Sequence, residues 1–231
     1  MTIKTPSDIK DEELKTELLD LIFVIADSKL AIVEQTSPWL VNSPTVDSRL
    51  FTARFVADEL NHAWQMSRMI EDFGEKDKVK ELQELRLGLH RLEPFNLPLF
   101  TWEDAVAFVF VIDSYNVILM NSLMDCEYEP LSKLAKSIVK DDEYHTMFSE
   151  NEIIRLSREN RNKIQGALNF WLPRLNDVYE HMRKLRLDKL FSLRVNNWLT
   201  EESESSLVSK LNEKLVKIGL DSVAVKKYTR N

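Results

Sequence analysis

Glycine and proline are scarce, with 4 and 7 copies in 231 residues, under half of what average usage supplies. Sandwiches, barrels and doubly wound sheets need a turn every dozen residues or so, which leaves long helices joined by few loops. Cysteine is scarcer still: Cys126 stands alone, which excludes an internal disulfide and any zinc or iron–sulfur site built on several cysteines. A basic excess is also missing. The 31 Lys and Arg against 38 Asp and Glu give a net charge of −7, so nothing marks the chain for phosphate backbones and no nucleic-acid partner is expected. Met1–Glu13 is polar and acidic with no apolar run, read here as the start of a cytoplasmic protein.

What is present is a 44% hydrophobic, 30% charged chain, able to bury a core and solubilise its outside. Helical periodicity places a first helix over about Ser7–Gln35, a second over Thr45–Phe73, a third from Thr101 to Glu127, a fourth over Leu131–Arg158 and a fifth over Asn162–Leu187 with Pro173 kinking or breaking it. Glu75–Arg91 is charged and helical in part. The tail holds a Glu/Ser-rich stretch, Thr200–Ser206, and an amphipathic helix to about Gly219. Ala105–Met124 carries one charge, Asp113, and is long enough to span a bilayer. Its Ser114, Asn116, Asn121 and Ser122, and the lack of flanking Lys or Arg, favour a helix buried in a bundle and no membrane. Short links within two helical hairpins, and a longer one over Gly74–Thr101, give an all-α, ferritin-like four-helix bundle with one crossover. The expectation is one domain, with the core bundle over 7–158, an extra helix over 162–187 and a tail over 188–231.

Two of the four histidines follow a carboxylate by three positions: Glu59 with His62, and Asp142 with His145. Both pairs fall on the apolar faces of separate helices, and Asp113 lies within the most apolar helix. Carboxylates in a dry core need a cation, a hydrogen-bond network or a metal. Carboxylate-bridged di-iron bundles take one carboxylate from each of two helices and Glu-x-x-His from each of the other two. Glu59, His62, Asp113, Asp142 and His145 supply five of those six, and N/O donors suit iron or manganese. The plainer alternative makes each pair an i, i+3 contact within its helix and gives Asp113 a core Ser, Tyr or Arg. His90 and His181 are read as surface or packing residues.

Ala26-Asp-Ser-Lys29, Trp39-Leu-Val-Asn-Ser-Pro-Thr45, Ala57-Asp-Glu-Leu-Asn-His-Ala63, Lys140-Asp-Asp-Glu-Tyr-His145 and Asn169-Phe-Trp-Leu-Pro173 resemble the phenylacetic acid catabolic oxygenase family, the ferritin-like catalytic and structural subunits of phenylacetyl-CoA epoxidase. The resemblance covers about residues 15–185. It implies iron ligation by Glu59, His62, Asp113, Asp142 and His145, with Asp142 a shorter carboxylate where the catalytic subunit usually has Glu. It also implies ring epoxidation of an aromatic acyl-CoA, a paralogous oxygenase subunit, a separate reductase and a homo- or hetero-oligomer. One position departs. Where the last carboxylate is expected on the first helix stands Lys29, with Asp27 and Glu34 turned away from it. A di-iron centre is therefore set against a single ion held beside a charged Lys29, an empty site, or a Lys29 carbamate that restores the missing anion. The corresponding functions are an oxygenase subunit, a non-catalytic subunit that pairs with a catalytic paralogue, or a ferritin-like iron oxidase.

Overall fold

The computed structural model describes residues 2–84 and 88–225. Among these the helices are α1 (Glu12–Thr36), α2 (Trp39–Asn42), α3 (Val46–Asp72), α4 (Lys76–Gln83), α5 (Trp102–Leu123), α6 (Glu129–Trp171), α7 (Arg174–Arg183) and α8 (Glu201–Lys217). α1 packs along α3 and α5 along α6, and α3 meets α6 across the pairs, giving the expected all-α ferritin-like bundle of two hairpins.

Side chains at the helix starts explain where the rods begin. Asp11 accepts the amides of Glu13 and Leu14, Thr45 that of Ser48, Thr200 that of Ser203, and Thr101 forms a reciprocal box with Asp104, each satisfying donors that the first helical turn leaves unpaired. The first helix starts later than expected. Pro6–Asp8 form a separate 3-10 turn, because Asp11 caps the helix that follows. α6 runs through the predicted gap between the fourth and fifth helices, with the backbone leaving helical geometry at Asn160 (φ −151°, ψ 70°). Pro173 then breaks the fifth segment, and α7 stops at Arg183 rather than Leu187. Thr200–Ser206 is the cap and opening turns of α8. Residues 85–87 of the charged connection and 226–231 of the tail lie outside the described residues.

α5 is the core of the bundle. Among the described residues it alone is long and apolar enough to cross a membrane, and 83% of its apolar window is buried inside the protein. The extra segments fasten the bundle from outside. Ile3 exchanges backbone hydrogen bonds with Glu127 and Glu129 at 2.9 Å, Glu17 accepts the Leu190 amide at 2.9 Å, and Lys214 of α8 reaches Glu150 of α6 at 2.7 Å.

Candidate functional site

Four helices deliver charged side chains to one buried point. Lys29 comes from α1, Glu59 and His62 from α3, Asp113 from α5, and Asp142 and His145 from α6; none is more than 1% exposed. Every residue singled out from the sequence is in this cluster. The Lys29 ammonium is inside it, with Nζ donating to Glu59 Oε1 at 2.9 Å and to Asp142 Oδ1 at 3.0 Å. His145 Nδ1 lies 3.4 Å from Asp113 Oδ2, and His62 Nδ1 lies 3.4 Å from Glu59 Oε1. Asn116, one turn on from Asp113, donates to its Oδ1 at 3.3 Å.

Two further carboxylates hold the histidines from behind. His62 Nε2 bonds Asp141 Oδ2 at 3.1 Å, and His145 Nε2 bonds Asp58 Oδ2 at 3.2 Å. The arrangement is crossed: the acid preceding each motif serves the histidine of the other helix. It fixes both rings with Nε2 outward and Nδ1 facing the carboxylates. Sequence reasoning gave Asp58 and Asp141 no role. The legible signal was the repeat itself, an Asp immediately before Glu59 and another immediately before Asp142.

One ammonium among three carboxylates divides them. Burial opposes the ionised form of Glu59, yet Lys29, with His62 and His145 beside it, outweighs burial and holds this carboxyl down at about 2. Asp142 moves well above its ordinary range, because burial and the like charges of Glu59 and Asp113 exceed what Lys29 returns. Asp113 is raised too, chiefly by burial. Lys29 is pushed upward although burial alone would lower it, since Asp142, Glu59 and Asp113 all favour the ammonium. Burial likewise disfavours charge on His145, but Asp113 and then Glu59 and Asp142 raise it to about 9. Both shifts favour the charged forms of Lys29 and His145 at neutral pH in the metal-free cluster.

Two subsets of donors lie close enough to share an ion: Glu59, His62 and Asp142, and Asp113, Asp142 and His145, each set within 4.8 Å. Five buried atoms here have no hydrogen-bond partner: Glu59 Oε2, His62 Nδ1, Asp113 Oδ2, Asp142 Oδ2 and His145 Nδ1. Beside His145, whose ring meets Phe55 edge-on at 4.7 Å, is an apolar cavity of about 20 Å³ lined by Trp39, Phe51, Phe55 and Trp102. That is room for about one water.

His90 and the α1 acids that Lys29 outflanks form a separate cluster. His90 is buried, with Nδ1 3.1 Å from Asp27 Oδ1 and Nε2 2.8 Å from Glu34 Oε2. Asp27 also accepts the Arg91 amide at 2.6 Å, and Asn96 brackets the His90 backbone through both its amide and its carbonyl. Asp27 and Glu34 are thus turned toward the crossover segment, away from Lys29.

A ferritin-like bundle with a buried carboxylate–histidine cluster defines the class of protein. The chain belongs to the phenylacetic acid catabolic protein family, whose profile matches residues 1–222. Membership supports a part in phenylacetate catabolism, within a system of several protein components. No curated protein matches the chain.

Proposed function

We propose that this chain is a non-catalytic component of the multicomponent oxygenase of phenylacetate catabolism, in which Lys29 stands in for metal charge and keeps the bundle folded beside a catalytic paralogue. The observation that carries this is the Lys29 ammonium between Glu59 and Asp142, 2.9 and 3.0 Å away. A two-iron centre does not fit these residues. Two divalent ions and an ammonium would oppose only three carboxylates, leaving an excess of about two positive charges in a dry core, where uncompensated charge costs several kcal/mol per ion. A carbamate on Lys29 is also disfavoured, because it needs the neutral amine and the surrounding carboxylates favour the ammonium. The cavity beside the cluster would not admit the aromatic end of an acyl thioester. Ring epoxidation of an aromatic acyl-CoA then falls to the partner, with electrons from a separate reductase and the assembly in the cytoplasm.

The five unpartnered donors favour a second reading. One divalent ion held by Asp113, Asp142 and His145, with Lys29 still charged, balances the three carboxylates and gives a partner to three of the five atoms. Such a centre still lacks the second metal that dinuclear oxygen activation requires.

Elemental mass spectrometry of protein made in iron-replete medium tests the proposal, beside a Lys29→Glu variant. No metal in the native chain and two ions per chain in the variant support it. One ion in the native chain supports the second reading. Two irons in the native chain, with dioxygen consumption driven by an aromatic acyl-CoA and a reductase, would return the chain to the catalytic role.

A further inference from the structure

A helix on the outside of a bundle needs one apolar face, and α3 has two. Phe55, Glu59, His62, Met66 and Ile70 point inward. On the outer side Val46 is 78% exposed, Leu50 71%, Leu60 48% and Trp64 55%, with Ala53 and Ala57 exposed between them. These six residues recur at alternating steps of four and three, the spacing of a coiled-coil seam. Among the described residues all six stay exposed.

The stripe reads nearly the same in both directions: an apolar residue, Leu, Ala, Ala, Leu, an apolar residue. An antiparallel copy turned about a two-fold axis level with residue 55 sets Leu50 against Leu60, Ala53 against Ala57 and Val46 against Trp64 of the second copy. The small residues then lie at the crossing point, where the backbones come closest, and the large ones fill the flanks. This is the self-complementarity that a two-fold interface demands; a helix meeting an unrelated partner has no need of it. Arg54 is the charged residue nearest the axis, where it would meet its own copy. It is drawn aside, paired with Asp58 at 3.4 Å and laid over the Tyr144 ring at 4.2 Å. Val46, Leu50, Leu60 and Trp64 expose on the order of 450 Å² per copy, over half of the roughly 800 Å² per partner in a standard interface. The alanines and the flanking Arg49, Asn61 and Arg68 extend the contact.

We infer that the outer face of α3 is a homodimer interface in which α3 pairs antiparallel with α3 of a second copy of this chain. None of the charged-cluster side chains lies on the stripe, so the inference stands whether or not the chain holds metal.

Sedimentation equilibrium of the whole chain at about 1–100 µM tests it. A dimer is expected, and the double variant Leu50→Glu, Leu60→Glu should weaken self-association at least about 100-fold, since each buried charge enters the interface twice. An unchanged circular-dichroism spectrum and melting temperature would show that these variants fold. Ala53→Cys with Ala57→Cys should oxidise to a covalent dimer on a non-reducing gel, whereas native Cys126 is buried. A monomer throughout the range, a dimer indifferent to the glutamates, or a monomer that uses this face only for a paralogous subunit would each overturn the inference.

Discussion

Removing the Lys29 charge while keeping its aliphatic stem isolates what the ammonium does. Lys29→Met leaves Glu59 and Asp142 without the cation that lies 2.9 and 3.0 Å from them. Deleting one partner of a buried pair typically costs about 3–5 kcal/mol, mostly because the remaining charge is stranded. The lower end is expected here, since Asp142 already lies well above its ordinary range and His145 remains as a second cation. About 3 kcal/mol corresponds to roughly 6–12 °C in melting temperature for a chain of this length. The loss should depend on pH in a definite direction. Glu59 at about 2 in the native protein is a depressed acid, so it stabilises above its ordinary value and loses that contribution as pH falls. In the variant its carboxyl rises instead, and protonation relieves the strain. The gap between native and variant should therefore narrow from pH 7 to pH 5. Urea unfolding of metal-free protein at several pH values, with Lys136→Met as a surface control, measures it. Manganese or ferrous ion should also raise the variant's stability more than the native protein's, because ligand binding to the folded state stabilises by mass action. A loss under about 1 kcal/mol, or one indifferent to pH, would refute Lys29 as the internal counter-ion.

The carboxylates should separate in mutagenesis: Glu59→Gln should cost about 3 kcal/mol in urea unfolding at pH 7, while Asp142→Asn, replacing a carboxyl whose protonated form burial favours, should cost under about 1 kcal/mol. His145, raised to about 9, contributes stability in full below its ordinary value of 6.5 and loses it as pH rises through about 9. The melting temperature of metal-free protein should fall over that window, and His145→Gln should flatten the fall. His90 is raised as well, burial being outweighed by Asp27 and Glu34, so it loses its contribution on the same alkaline side; His90→Phe should destabilise by about 2 kcal/mol and speed hydrogen exchange over 88–101.

The helices and the cluster were legible for different reasons. Long helices followed from sparse glycine and proline and from periodicity, which report local geometry. The metal-type donors followed from a spacing of three on apolar faces, also local. What escaped was non-local. Asp58 and Asp141 sit one residue from the donors, on flanks that look solvated on a helical wheel; only the approach of α3 to α6 turns each toward the other helix's histidine. His90 had no local signal at all, because Asp27 and Glu34 lie 63 and 56 residues away in sequence. Lys29 was visible only as a departure from the family resemblance. Its burial became intelligible once three carboxylates were seen to surround it.

Charge arithmetic joins these observations. By the resemblance, position 29 belongs to a carboxylate in metal-binding relatives. Exchanging a carboxylate for an ammonium changes the core by two positive charges, as much as one divalent ion brings, so one substitution can replace one ion without disturbing the other ligands. The persistence of those ligands is then no argument for a two-metal centre. Each has a part in the core without metal: Glu59 and Asp142 accept from Lys29, and Asp113 faces His145 at 3.4 Å. His62 shares its duty, since its Nδ1 faces Glu59 Oε1 at 3.4 Å, an oxygen that Lys29 already serves at 2.9 Å, and its other nitrogen is tied to a half-buried acid. His62→Gln, keeping a polar side chain behind Asp141, is accordingly the donor change that metal-free stability should tolerate best, within about 1 kcal/mol by urea unfolding. A loss as large as that of Glu59→Gln would mean that something other than Lys29 balances the α3 side of the cluster.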